Sequence, residues 1–193
     1  MKRIGTVIFL FFIWSWLSAQ VQSVSRYQYI TFPNDPLKAR IYTLSNGLKV
    51  YMTVYKDKPR IQTYVAVRAG SKNDPEETTG LAHYFEHMMF KGTPHFGTMD
   101  YEKEKNYIDK IDSLFEVYRK LKDPKERKAI YKIIDSLSYI ASKYAIPNEY
   151  DKLMNILGSE GTNAFTSYEM TVYVENIPSN QLENWAKIQA DRF

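Results

Sequence analysis

Two histidines and a glutamate lie close together in the segment Leu81–Met88, where His83, Glu86 and His87 form the pattern H-x-x-E-H. An α-helix has about 3.6 residues per turn, so positions i, i+3 and i+4 lie on one face. On such a helix the two imidazoles could bind one metal ion, and the carboxylate could accept the proton of a metal-bound water. The chain contains 3 histidines in all, so this pattern uses two of them.

The pattern is the inverse of H-E-x-x-H, the helix motif of many zinc peptidases. Zinc lowers the pKa of a bound water to about 7, so Glu86 could act as a general base at neutral pH. The activated water would attack a polarised carbonyl, and Glu86 could return the proton to the leaving amine, which is peptide-bond hydrolysis. The alternative is that His83 and His87 merely share one face of an amphipathic helix, because three fixed positions also match by chance.

A catalytic zinc ion usually has three protein ligands and one open position, and His83 and His87 provide two of them. The chain has 0 cysteines, so the ligands must be histidine or carboxylate. His95 follows the predicted helix in a loop, and we expect it at the surface rather than on a metal. Three glutamates have no motif that supports them as ligands: Glu77, Glu160 and Glu169.

The first residues are typical of a cleavable signal peptide. Lys2 and Arg3 precede an apolar run over 4–17, and Ser18-Ala19 supplies small residues for cleavage. The run is shorter than the roughly 20 residues that span a bilayer, although an uncleaved anchor is the alternative. We therefore predict a signal peptide over 1–19 and a secreted or periplasmic protein.

Composition indicates a globular protein whose net charge does not favour a strongly anionic partner. Of the 193 residues, 44% are hydrophobic, which is enough for a core. Residues 1–19 contain two of the 26 basic residues and none of the 22 acidic ones, so their removal lowers the net charge from +4 to +2. This charge is too small to favour nucleic acid or an anionic membrane surface as a partner.

Sequence patterns predict a layered α+β domain with helices packed on an antiparallel or mixed sheet. Residues 20–38 are predicted to be irregular because they contain Pro33 and Pro36. Asn46-Gly47 between two strand-like runs predicts a hairpin, and alternating apolar residues predict a third strand over 61–67. The motif helix is expected to extend to about Phe90, with Thr78 or Thr79 as its cap.

The second half of the chain is predicted to be mostly helical. Apolar residues at helical spacing indicate two antiparallel charged helices within 99–144, the second one capped by Asp123. A short helix over 148–157 and strands over 162–166 and 170–174 follow. A last helix is predicted from Gln181 onward, with Asn180 as its cap and four residues on its apolar side: Leu182, Trp185, Ile188 and Phe193.

Four segments resemble the pitrilysin/insulinase family of zinc metallopeptidases and occur in the family's order. Residues 80–93 resemble its active-site helix, 44–48 its first hairpin, and 68–71 the strand end before that helix. Residues 161–167, followed by Thr171 and Tyr173, resemble its substrate-binding strand.

The resemblance implies that His83 and His87 are ligands of Zn2+ and that Glu86 is the catalytic base. It also implies that Asn163 and Ala164 lie on an edge strand to which an extended peptide adds through backbone hydrogen bonds. The alternative for Asn163 is a structural residue at a turn or strand start. Similar ligands also accept cobalt or manganese, so the residues do not define the native metal.

The family's third zinc ligand is a glutamate on a later helix, which we expect beyond Phe193. Glu183 and Asp191 are candidates only by default. We therefore predict that 39–193 is the N-terminal part of a catalytic domain that is incomplete at its C-terminus, with 99–144 as a helical insertion.

The predicted protein is a secreted zinc endopeptidase, present as an N-terminal fragment that lacks the third ligand. The predicted partners are a peptide or unfolded protein substrate and a second homologous domain or chain, without a stable membrane anchor. The alternatives are a non-catalytic module that holds substrate and an inactive truncated product.

Overall fold

The computed structural model describes residues 27–193, so the predicted signal peptide lies outside the described residues. The described part contains α-helices and two antiparallel sheets, which confirms the α+β prediction. The described residues divide into two compact units, with the boundary between Asp57 and Lys58. Within residues 27–193, no helix has both the length and the apolar character needed to cross a bilayer.

The first unit contains a three-stranded antiparallel sheet. Its strands are β1 (Tyr29–Ile30), β2 (Arg40–Thr43) and β3 (Lys49–Met52), in that spatial order. The β2–β3 turn has Gly47 at a φ of 87°, a conformation that favours glycine, and the predicted hairpin is confirmed. Strand β1 is a difference from the prediction, because it lies within the segment 20–38 that we expected to be irregular.

The second unit contains the sheet that supports the motif helix. Its strands are β4 (Arg60–Val67), β5 (Glu160–Thr166) and β6 (Thr171–Pro178), and β6 lies between the other two. Both pairings are antiparallel. Strand β5 is therefore an edge strand of this sheet within the described part of the chain, and its register shifts between Glu160 and Asn163.

Five α-helices accompany this sheet in the described residues. They are α1 (Leu81–Met88), α2 (Tyr101–Lys120), α3 (Pro124–Ala141), α4 (Glu149–Ile156) and α5 (Leu182–Arg192). Helices α2 and α3 form the predicted charged pair and pack against each other. The segments that flank this pair are joined, because the Met99 amide before α2 donates to the Tyr144 carbonyl after α3 at 2.8 Å.

Of the caps predicted for α3 and α5, the structure confirms only the first. The carboxylate of Asp123 accepts hydrogen bonds from the Lys125 and Glu126 amides, so it caps α3 as predicted. The prediction for Asn180 is wrong, because this residue lies inside a 3₁₀ turn and Gln181 occupies the cap position of α5. The extra turn shifts the start of α5 beyond the place that the local sequence indicates.

The core of the second unit lies between α4, α5 and β6 and includes polar groups. Tyr150, Met154, Glu175 and Ile177 are the largest fully buried side chains. The Tyr150 hydroxyl donates to Glu175 at 2.5 Å, which satisfies part of the buried carboxylate.

The structure confirms the predicted apolar side of α5 for two of its four residues. Trp185 and Ile188 pack against the core, whereas Leu182 and Phe193 are exposed. Two polar residues of the same helix are buried instead, namely Gln189 and Arg192. Arg192 donates to Gln189 within the helix at 2.7 Å, but both residues also contact the remote Tyr150 hydroxyl, which the α5 sequence alone does not reveal.

Candidate metal and catalytic site

Helix α1 brings the three motif residues together. The Nε2 atoms of His83 and His87 lie 3.2 Å apart, and both rings are exposed. Glu86 is buried, with 6% of its surface exposed, and its carboxylate faces strand β5. The predicted i, i+3, i+4 arrangement therefore gives two open imidazoles beside a shielded carboxylate.

The separation of the two nitrogens fits two ligands of one zinc ion. Histidine nitrogens lie about 2.0–2.1 Å from zinc, so two of them at a tetrahedral angle are about 3.4 Å apart. The observed 3.2 Å is close to this value. Among residues 27–193, no cluster of three or more His, Cys, Asp or Glu side chains is arranged to hold a metal. The described chain thus offers two candidate ligands, whereas a catalytic zinc ion usually has three protein ligands.

Asp74 holds the start of α1. Gly80 occupies the cap position with a φ of 90° and contributes no side chain. The Asp74 carboxylate accepts hydrogen bonds from the Gly80 amide at 2.7 Å and the Ala82 amide at 2.8 Å. The expectation that Thr78 or Thr79 caps the helix is therefore wrong. A short 3₁₀ turn carries the chain back so that a residue six positions upstream satisfies the free amides.

The Glu86 carboxylate is held by strand β5. The Thr166 hydroxyl donates to Glu86 Oε2 at 2.5 Å. The Thr171 hydroxyl on the neighbouring strand lies 3.3 Å from that of Thr166 and donates to the Ala69 carbonyl at 2.9 Å. Burial raises the pKa of Tyr173, Arg192 opposes this increase, and the charge of Glu86 adds to it. The charge of Glu86 therefore interacts with Tyr173 on strand β6.

Arg192 holds the end of α1. Its Nε atom donates to the Met89 carbonyl at 3.0 Å, and its guanidinium lies over the Phe90 ring. Burial lowers the pKa of Arg192, while nearby Tyr150 and Glu175 oppose that decrease. The sequence prediction missed this residue, since an arginine in a terminal helix is usually solvated.

Strand β5 places the predicted substrate residues near α1, which packs against this strand. Asn163 lies opposite Val174 and Ala164 lies opposite Tyr173 on the inner side of the strand. Asn163 is exposed, Ala164 is half-buried, and both precede Thr166 on the same strand. The other side of β5 pairs with no strand in residues 27–193, as an edge that accepts a peptide requires.

The remaining acidic residues and His95 lie outside the motif. The His95 ring is 78% exposed, which confirms the predicted surface position, and its Nδ1 atom lies 2.6 Å from Asp191. Asp191 also accepts a hydrogen bond from the Thr93 hydroxyl. Glu183 pairs with Lys187 at 2.9 Å on the exposed side of α5. Neither default candidate therefore joins His83 and His87.

Comparisons with known proteins point to one family of peptidases. Residues 50–112 match the family described as Insulinase (Peptidase family M16). An insulin-degrading enzyme homolog of Dictyostelium discoideum is 39% identical over 67 residues, which are 35% of this chain and 7% of the relative. A putative zinc protease of Schizosaccharomyces pombe, mug138, is 29% identical over 87 residues, or 45% of this chain and 9% of the relative.

The fold is similar to that of a solved protease. The first half of the periplasmic protease PqqL from Escherichia coli superposes with a TM-score of 0.51 at 19% identity. The match covers 84% of this chain and 26% of that chain. This chain thus spans less than a tenth of the two curated relatives and about a quarter of the solved structure.

Proposed function

We propose that this chain, whose residues 50–112 match the insulinase (M16) family of peptidases, is the N-terminal part of a secreted zinc endopeptidase. In this proposal His83 and His87 hold the metal and Glu86 is the general base. The observation that carries it is the 3.2 Å separation of the two Nε2 atoms on the helix face that also presents Glu86.

The residues of the site divide the chemistry between them. Zinc, when bound, polarises a peptide carbonyl and lowers the pKa of a water to about 7. The imidazoles of His83 and His87 bind the metal as neutral ligands. Glu86 takes the proton from water and passes it to the leaving amine. Its burial beside β5 shields the carboxylate from bulk solvent, which strengthens its interactions with charged groups.

An extended peptide or unfolded protein is the proposed substrate. It would add to β5 through backbone hydrogen bonds at Asn163 and Ala164, next to the motif helix. Backbone pairing selects weakly for sequence, so cleavage preference would depend on side-chain pockets near this edge.

A third metal ligand and a second homologous domain or chain complete the proposed enzyme. We propose that this ligand is a glutamate outside residues 27–193, since these residues contain no group of three or more His, Cys, Asp or Glu side chains arranged to hold a metal. The solved Escherichia coli relative is described as the first half of a periplasmic protease, which supports both a second half and export. The non-catalytic module stays as the alternative, but the intact His83, Glu86 and His87 set favours catalysis.

The first prediction concerns zinc binding by this chain. With two ligands, we expect zinc to bind weakly and reversibly, with a Kd that rises at least about tenfold in His83→Ala and His87→Ala variants. His95→Ala is the matched control, because it removes an exposed histidine outside the motif. Zinc titration with a competing chelator measures the Kd of each variant.

Two results would contradict the proposal. Zinc affinity that survives His87→Ala but falls in His95→Ala would place the metal elsewhere.

In the full-length protein with zinc bound, Glu86→Gln should abolish hydrolysis of an unstructured peptide. Wild-type hydrolysis by that variant would exclude Glu86 as the base.

A further inference from the structure

Glu86 has one hydrogen-bond donor in the described part of the chain. The Thr166 hydroxyl donates to Oε2 at 2.5 Å, and no other described group donates to this carboxylate. The residue is 6% exposed, so water can replace few of the hydrogen bonds that a carboxylate loses on burial. The orientation of Glu86 therefore depends largely on Thr166.

The hydroxyl proton of Thr166 can be assigned from the neighbouring distances. A hydroxyl donates one proton, and the two possible acceptors are Glu86 at 2.5 Å and the Thr171 hydroxyl at 3.3 Å. Thr171 uses its own proton on the Ala69 carbonyl at 2.9 Å. Because hydroxyl–carboxylate hydrogen bonds are about 2.5–2.7 Å long, the Thr166 hydroxyl donates its proton to the hydrogen bond with Glu86.

We propose that Thr166 is a positioning residue for the general base: it binds Oε2 of Glu86 and thereby leaves Oε1 to take the proton from water. This inference rests on the proposed role of Glu86. Thr166 ends strand β5, whose earlier residues Asn163 and Ala164 would bind the substrate. One strand then orients both the peptide and the base that acts on it.

The test compares two variants at position 166 with a matched control. Thr166→Val removes the hydroxyl at nearly constant volume, and Thr166→Ser keeps it. Thr53→Val is the control, because it also removes a donating hydroxyl, which binds the Leu37 carbonyl at 2.5 Å and not Glu86. Glu86→Gln gives the rate without the base.

Two measurements are made on each variant. One is the carboxyl ¹³C resonance of Glu86 at a single neutral pH without zinc, identified by its absence in Glu86→Gln. The other is peptide hydrolysis by the full-length protein with zinc. We expect Thr166→Val to shift the resonance and lower kcat by about 10- to 100-fold at unchanged KM and zinc affinity, as a misplaced catalytic group does. Thr166→Ser and Thr53→Val should resemble the wild type.

The outcomes separate this inference from the proposed function. An unmoved resonance, or a normal kcat in Thr166→Val beside an inactive Glu86→Gln, overturns the role of Thr166 and leaves the function intact. A Glu86→Gln variant with wild-type kcat, or a wild-type protein without hydrolysis, overturns the proposed function, while the resonance still decides the hydrogen bond. Loss of zinc affinity in Thr166→Val would show a general disruption of the site and also overturn the inference.

Discussion

Asp191 shows how single residues fix the surroundings of the motif helix. The Thr93 hydroxyl lowers the pKa of Asp191 below its usual value of 3.8, burial opposes the decrease, and His95 adds to it. These contacts join the loop after α1 to helix α5. Asp191, which the sequence left as a default ligand, therefore has a structural role that depends on its charge.

A pH prediction follows at the residue scale. A carboxyl group whose pKa is lower in the folded state stabilises the protein above its unfolded pKa, and this stability is lost as pH falls through the folded pKa. Asp191→Asn should therefore lower the free energy of unfolding near neutral pH, by less than about 1 kcal/mol because the group is partly solvated. The difference from wild type should shrink below pH 3.8.

Denaturant unfolding at several pH values measures this difference. Asp135→Asn is the control, since Asp135 is exposed on α3 and outside these contacts. A difference that grows as the solution is acidified would contradict the assigned sign.

At the scale of secondary structure, helix α1 depends on contacts outside its own sequence. An isolated helix of 8 residues is unstable in water, because nucleation fixes several residues for one hydrogen bond. Asp74 satisfies its first amides and Arg192 binds a carbonyl at its end. The position of His83 and His87 therefore depends on both ends of the helix.

The element-scale prediction uses the first of these contacts. Asp74→Ala should lower the free energy of unfolding by about 0.5–2 kcal/mol, as loss of a helix cap does. It should also weaken zinc binding and speed amide hydrogen exchange in α1. Chelator competition and exchange measured by mass spectrometry test both effects.

Asp100→Ala is the matched control for Asp74. Asp100 caps α2 through the Lys103 amide at 3.1 Å, away from the motif. We expect a similar loss of stability and unchanged zinc affinity. Equal weakening of zinc binding in the two variants would show that Asp74 acts through global stability alone.

At the scale of the whole second unit, a buried charge cluster joins the segments around the motif helix. The Arg192 guanidinium lies 3.9 Å from the centre of the Tyr150 ring, donates to its hydroxyl at 2.6 Å, and lies 3.8 Å from Glu175. The side chains of Arg192 and Glu175 are 1% and 0% exposed. Helices α4 and α5 and strand β6 therefore meet at one buried ion pair.

The buried cluster predicts a large loss of stability when Arg192 is replaced. Arg192→Met should destabilise the protein by about 3–5 kcal/mol, because Glu175 would remain buried without its cation. Adding Glu175→Gln should recover part of this loss, since the unpaired charge disappears. Chemical unfolding of the single and double variants measures the coupling between the two residues.

Arg119→Ala is the reference for an arginine at the surface. Arg119 pairs with Glu116 on the exposed side of α2, and such pairs contribute about 0–1 kcal/mol. Equal stability losses in Arg192→Met and Arg119→Ala would contradict the importance of the buried cluster.

The sequence by itself determined the features that depend on local spacing. The i, i+3, i+4 spacing placed His83, Glu86 and His87 on one face, Asn46-Gly47 gave the hairpin, and Asp123 gave the start of α3. These features involve residues a few positions apart, so local geometry and propensity are sufficient to predict them.

Only the tertiary structure decided which remote residues hold the motif in place. Thr166 meets Glu86 across 80 positions, and Arg192 meets Met89 across 103. Even Asp74 reaches α1 only because an intervening 3₁₀ turn folds back. Such contacts follow from the packing of α1 against the sheet and of α5 against the core, and no local pattern in one sequence encodes which hydroxyl or guanidinium will arrive there.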